Sequence, residues 1–254
     1  MAKTLRSVWA GPVQLHSLSS RCRPGDAPAT RAAKHKASSD AQRRMNRIYA
    51  FQRLELLLAA NFPSAGSGLV FTLTYDDRHL PHDRAAVSRN LAAFRKRLNA
   101  ARKAAGLPEL VMFWSIEVLT SGRWHVHGCL NNTGRDYDMI RRAWIYGSEI
   151  ELDPLRVDDE KNHETLARYM TKEAREAQDY AVRPGTPSYS HTRNIVQPER
   201  ETRVVPDDFQ IEIPDGAVVL LSECRATALA SFEVVKLRTR IFDAPIRPKR
   251  RRKR

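Results

Sequence analysis

The stretch LVMFWSIEVLTSGRWHVHGCL, residues 110–130, decides how the chain folds. Two strand-like runs, 110–118 and 123–130, flank LTSG at 119–122, and a short connection carrying Gly122 between such runs predicts a β-hairpin. Side chains alternate along a strand, so His125 and His127 leave one face while Val126 and Gly128 leave the other. Glu117, on the partner strand, then lies next to the histidines. Two imidazoles and one carboxylate can grip a cation and still leave coordination positions open for water or a phosphate oxygen, which a closed structural zinc site does not. The donor types do not choose the metal: imidazole suits transition metals and carboxylate suits Mg²⁺ or Mn²⁺. Two histidines at alternate strand positions also arise by chance, so the motif takes its weight from its company.

That company is LARYMTKEA, 166–174, where Tyr169 and Lys172 stand three apart in a helical pattern and share one helix face. A phenol beside an ammonium is a nucleophile in waiting. The plainer account of the lysine is ion pairing with Glu173 and Glu176. Within the helix, Leu166, Met170, Ala174 and Ala177 form the apolar stripe and Tyr169 flanks it.

FTLTYDD at 71–77, HVHG at 125–128 and YMTK at 169–172, in this order and at these separations, resemble the three motifs of HUH-type rolling-circle replication initiators with one catalytic tyrosine. The likeness is nearest to the initiators of small single-stranded DNA phages. It covers roughly residues 68–200, since TRNIVQP at 192–198 also resembles a stretch following the tyrosine helix in those proteins. The resemblance implies that His125, His127 and Glu117 hold a divalent cation, Mn²⁺ or Mg²⁺, against a scissile phosphate. Tyr169 would be the nucleophile and Lys172 would favour its phenolate. It further implies single-stranded DNA at a replication origin as partner, with host polymerase and helicase supplied in trans, in a bacterial host cytoplasm. Tyr180, eleven residues on, sits ~16 Å along a continuous helix, unlike the one-turn spacing of two-tyrosine members. Single-tyrosine relaxases usually carry a third histidine, and the related transposases typically place Gln after the tyrosine; neither feature occurs here. Outside the class stand a non-catalytic nucleic-acid binder and a zinc hydrolase, the latter leaving the Tyr-Lys helix without a purpose.

The net charge of +14 is informative through its placement. Residues 1–50 hold ten Lys or Arg against two Asp, residues 247–254 hold seven and no acid, and the body between sums to −1. Basic ends on a neutral body read as electrostatic arms, with Lys249, Arg250, Arg251 and Arg252 as phosphate contacts. Three scattered cysteines suggest no disulfide framework, and Cys129 reads as a small core residue. No apolar run reaches the ~20 residues of a membrane helix. The N-terminus lacks a signal-type apolar block and is only faintly like a transit peptide. No phosphate-binding Gly-Lys-Ser/Thr loop occurs, so an attached helicase is not expected.

In RAAVSRNLAAFRKRLNAARKA, 84–104, Val87, Leu91, Phe94 and Leu98 recur at helical spacing as a core stripe. The same helix carries only cations, and Arg95, Lys96, Arg97, Arg102 and Lys103 read as a face for tracking a phosphate backbone; a merely solvated face is the alternative. RMNRIYAFQRLELLLAA predicts a helix closed by Phe62-Pro63, DYDMIRRAWIY another, and EIELDPLRV an edge strand because of Pro154. Asn162 or Asp159 can cap the tyrosine helix. The expected organisation is a flexible basic arm and a helix over 1–65, an endonuclease-like domain over 66–200, a β-rich extension over 201–246 and a basic tail over 247–254. The expected fold is α+β, a two-layer domain with a central antiparallel β-sheet, helices on one face, and metal and DNA on the other.

Overall fold

The computed structural model describes residues 2–20, 40–119, 121–157, 162–172, 187–226 and 231–239. It is α+β, with two antiparallel five-stranded sheets and four helices among these residues. The described residues divide into two units, one of 40–196 and one built from the segments up to 20 and from 197 onward.

The 40–196 unit holds the hairpin. Strand β4 (Met112–Val118) pairs antiparallel with β5 (Trp124–Asn131), setting Glu117 opposite His125 and Ser115 opposite His127. Gly122 takes φ +80° in the turn, a value that a side chain disfavours. On its other edge β5 pairs with β3 (Gly68–Thr74), which pairs in turn with β6 (Ile150–Pro154). A two-residue β7 (Ser190–His191) closes the order β6-β3-β5-β4-β7. As Pro154 requires, β6 is an edge strand.

One sheet face presents Phe71, Leu73, Val126, Leu130, Met112 and Trp114 to α2 (Arg84–Ala104) and α3 (Asp136–Ala143). The α2 contribution is the expected stripe of Val87, Leu91, Phe94 and Leu98, all buried. Asp83 caps the helix by accepting from the Ala86 N–H at 2.7 Å. Gly128 belongs to this packing: a Cβ there would stand 2.2 Å from the Phe113 carbonyl oxygen and 2.4 Å from Cζ of Phe71. The glycine of the histidine motif thus makes room for the Phe71 ring.

The opposite face, which carries the histidines, is covered along part of its length. Phe113, Cys129 and Val70 pack there against Leu54, Leu57 and Leu58 of α1 (Asp40–Asn61), Phe62 just after it, and Ala167 and Met170 of α4 (Glu164–Lys172). The sheet therefore has helices on both sides, with α1 and α4 taking the Cys129 end of the histidine face. Cys129 is a core residue, as expected, and burial raises its thiol pKa.

The other unit corrects the expectation of a flexible arm from residue 1. Strands β1 (Lys3–Ala10) and β2 (Val13–Ser20) form a hairpin about Gly11-Pro12. They complete a sheet with β8 (Glu199–Val205), β9 (Val218–Ala226) and β10 (Ser231–Arg238), in the order β8-β1-β2-β10-β9. Leu5, Leu18 and Val205 form its small core with Phe209 and Ile211. Sequence reasoning misses these two strands because the second is rich in Ser and their outer partners lie about 190 to 225 residues away in sequence. The boundary at residue 200 shifts likewise, since β8 pairs with β1. Residues 21–39 of the expected arm and the 247–254 tail lie outside the described residues.

Candidate functional site

Beyond the Cys129 end, the histidine face opens into a patch of side chains from all three central strands. Register places Thr72 beside His127 and Thr74 beside His125 on one flank, and Ser115 and Glu117 on the other. His127 Nε2 donates to Glu117 Oε2 at 2.7 Å. With that nitrogen carrying the proton, Nδ1 is the acceptor, and the hydroxyl of Thr72 approaches it at 3.1 Å. His125 Nδ1 lies 3.5 Å from Thr74 Oγ1, and the two imidazole rings stack with centroids 6.0 Å apart. Burial chiefly, and the neighbouring His127 ring next, hold the His125 pKa below the ordinary imidazole value, so the ring is a neutral donor near pH 7.

The phenol comes from α4. Tyr169 is 43% exposed, while Ala167, Met170 and Thr171 on the inner side of the helix are buried. Its hydroxyl stands 3.2 Å from Nδ1 and 3.4 Å from Nε2 of His127, and the two rings meet edge to face with centroids 5.1 Å apart. Helix α4 is pinned at its start by His163, whose ring donates to the Phe62 carbonyl at the end of α1 at 2.8 Å. Burial lowers the His163 pKa to about 4, so this ring too is neutral. Asn162 does not cap the helix as expected: it takes φ +53°, is buried, and its side-chain amide makes no hydrogen bond. Asp159 lies outside the described residues.

Three of the expected site residues, His127, Glu117 and Tyr169, are thus joined by hydrogen bonds, and His125 stacks beside them. Lys172 ends α4, and its side chain lies outside the description, as do Tyr180 and Lys249, Arg250, Arg251 and Arg252. Tyr189 is half-buried against the α1 core, and burial raises its pKa. Thr72 and Thr74 are site residues that sequence reasoning misses. Their alternation with Phe71 and Leu73 places them on the polar side of the strand, but only the register shows which histidine each one touches.

Among the described residues, no three His, Cys, Asp or Glu side chains are gathered as a ligand cluster. The donor types nonetheless fit a divalent cation. Two imidazoles share one strand face, and the carboxylate beside them shares a proton with His127 that a cation can displace.

The cationic face of α2 is corrected in part. Arg102 is wholly buried, paired with Asp136 at 2.6 Å and bonded to the side chain and carbonyl of Asn131. It holds the start of α3 and cannot reach DNA. Arg97 donates from Nε to the Ala143 carbonyl at 2.8 Å and lies over Tyr146. Arg95 lies over Trp114, with its guanidinium carbon 4.4 Å from the ring centroid. Lys96 and Lys103 are exposed.

An antiparallel α+β domain with this disposition is compatible with an HUH-like fold. Residues 68–174 match a family model described as a replication-associated protein of the ORF2 type, which bears out the resemblance drawn from the three motifs. The matched segment runs from the first residue of β3 to just past α4 and so contains every residue of the patch. Neither the curated proteins nor the solved structures give a match to the chain. No helix among the described residues is long and apolar enough to cross a membrane.

Proposed function

We propose that this protein nicks and rejoins single-stranded DNA at a replication origin through a phosphotyrosine intermediate, starting rolling-circle replication. The observation that carries the reading is the Tyr169 hydroxyl at 3.2 Å from His127, with Glu117 at 2.7 Å on the same ring. A nucleophile needs to be held close to its reaction partner, and a packed helix pinned to the sheet does this better than a loop. The family match supports a role in replication.

In this reading Tyr169, which is 43% exposed, gives up its proton to water and its oxygen attacks phosphorus. The bond from phosphorus to the 3′ oxygen breaks, that oxygen takes a proton, and a free 3′-OH is left to prime synthesis. The 5′-phosphate stays on the tyrosine, so the bond energy is kept and the same site can rejoin strands. Until a cation displaces it, the proton of His127 is fixed on Nε2 by Glu117, and Thr72 orients the ring from the Nδ1 side. Lys172, one turn from the nucleophile, favours the phenolate, which an unperturbed tyrosine pKa of ~10 makes necessary at neutral pH. His125, His127 and Glu117 would hold a divalent cation, Mn²⁺ or Mg²⁺, which supplies charge neutralisation at the scissile phosphate.

The test is a nicking assay on single-stranded oligonucleotides with Mn²⁺ or Mg²⁺ added. Cleavage leaving one product on the protein and one with a free 3′-OH is expected. Binding without cleavage under any metal would make the protein a nucleic-acid binder instead.

A further inference from the structure

At the edge of the central sheet, α2 and the segment after β7 border an open cleft of about 600 Å³. Its helix wall uses Arg95, Lys96, Asn99 and Lys103, which recur at the spacing of one helix stripe. Its far wall brings Arg193, and one acid, Glu109, stands at the rim. The floor is rigid: Asn99 accepts from the Leu110 N–H at 3.0 Å, Asn194 donates to the Leu110 carbonyl at 3.2 Å, and Thr192 is bonded to Met112.

The cations of this cleft are not consumed by the fold. Lys96, Lys103 and Arg193 are exposed and make no ion pair among the described residues, and Glu109 neutralises none of them. Arg95 lies flat on Trp114, and its Nε is buried without a partner. From Arg95 to Lys103 the helix advances ~12 Å at 1.5 Å per residue. That is longer than one phosphate, so the stripe can face more than one phosphate of a strand.

We infer that this cleft is a second DNA-binding site, which takes the phosphate backbone of DNA flanking the nick. It rests on the proposed function, since it makes the substrate contact two separate places on one unit. Along β4, Met112, which is buried behind the cleft and bonded to its Thr192, and Glu117 at the patch are five residues apart, ~17 Å at ~3.4 Å per residue. The cleft reads no bases; its role is to fix where the strand lies before Tyr169 meets the phosphorus.

Binding is measured in the Tyr169→Phe background, so that cleavage does not intrude, on a fluorescent single strand and on a hairpin duplex across a salt series. The cleft variant is Lys96→Glu/Lys103→Glu/Arg193→Glu, and the control is Arg89→Glu/Arg142→Glu/Arg156→Glu, an equal charge change at exposed positions elsewhere on the unit. The cleft variant should lose at least about tenfold in affinity, and its log–log salt slope should fall by ~2, at ~0.7 per phosphate contact on a single strand. The control should keep most of its slope, and whichever DNA shows the difference identifies the form bound. If the charge reversals unfold the domain, the Gln versions of the same three positions give the same comparison. Equal losses in both variants, or none in the cleft variant, overturn the inference. A wild type that nicks while the variants do not differ loses the cleft alone; a wild type that does not nick while they do differ loses the proposed reaction alone.

Discussion

Glu117 does two jobs at one atom pair, because the 2.7 Å bond to His127 both orients the ring and places a carboxylate among the imidazoles. Replacing it with Gln keeps the shape and removes the charge. If the site holds a cation, Glu117→Gln should leave folding near wild type, raise the Mn²⁺ or Mg²⁺ concentration needed for nicking by tenfold or more, and lower the rate. A metal titration that superimposes on the wild type would take Glu117 out of the ligand set. Arg102 makes the opposite case at the same scale. Its place in an all-cationic helix makes it read as a DNA contact, yet it is buried against Asp136. Removing one partner of such a pair leaves the other charge buried and uncompensated, so Arg102→Ala should cost about 3–5 kcal/mol in denaturant unfolding. A drop in DNA affinity at unchanged stability would mean the side chain is outside after all. Helical spacing does separate Arg102 from Lys103: the stripe of Val87, Leu91, Phe94 and Leu98 continues four residues on to Arg102, which therefore turns inward. That a cation can be buried there depends on Asp136 arriving from α3, which the local sequence does not show.

Among the elements, α4 matters most, since it carries the phenol and is held to α1 by His163. The folded-state pKa of His163, about 4, lies below the 6.5 of an unperturbed histidine. Burial of the uncharged ring is the cause, and the bond to Phe62 works against it, so the stability gained by burying neutral His163 is fully present above pH 6.5 and is lost as pH falls toward 4, where the unfolded chain takes a proton that the folded chain refuses. The slope from this one group is about 1.4 kcal/mol per pH unit. His163→Gln keeps a donor for the Phe62 carbonyl and removes the titration, so its stability should fall less over that window. Wild-type and variant profiles that run parallel would show that His163 does not titrate this way. The hairpin is legible in the sequence because its signals are local: alternation on both arms, and a glycine at the turn. Helix α1 is legible as a helix but not as a cover for the histidine face. Its stripe of Leu54, Leu57 and Leu58, with Phe62 just after it, says that one side is buried, and is silent about which sheet face buries it.

At the scale of the whole molecule, the N-terminal hairpin shows where local reading stops. Strands β1 and β2 are held by β8 and β10, and no signal in residues 3–20 names partners beyond residue 198. The candidate site is more legible than the architecture around it, because its residues come from three short motifs whose types restrict the chemistry. The basic tail belongs to this scale too. If residues 247–254 grip phosphates without reading sequence, deleting them should weaken binding to origin and random single strands alike and lower the salt slope by ~0.7 for each phosphate they no longer neutralise. An unchanged slope would leave the tail without a role in binding. The central claim is that Tyr169 becomes covalently joined to DNA, and mass spectrometry of the protein after reaction with a single-stranded origin oligonucleotide tests it most directly. The account predicts a 5′-linked nucleotide on Tyr169, and no adduct with Tyr169→Phe although DNA is still bound. An adduct on Tyr180, Tyr189 or any other residue, or cleavage products with no protein attached, would contradict it.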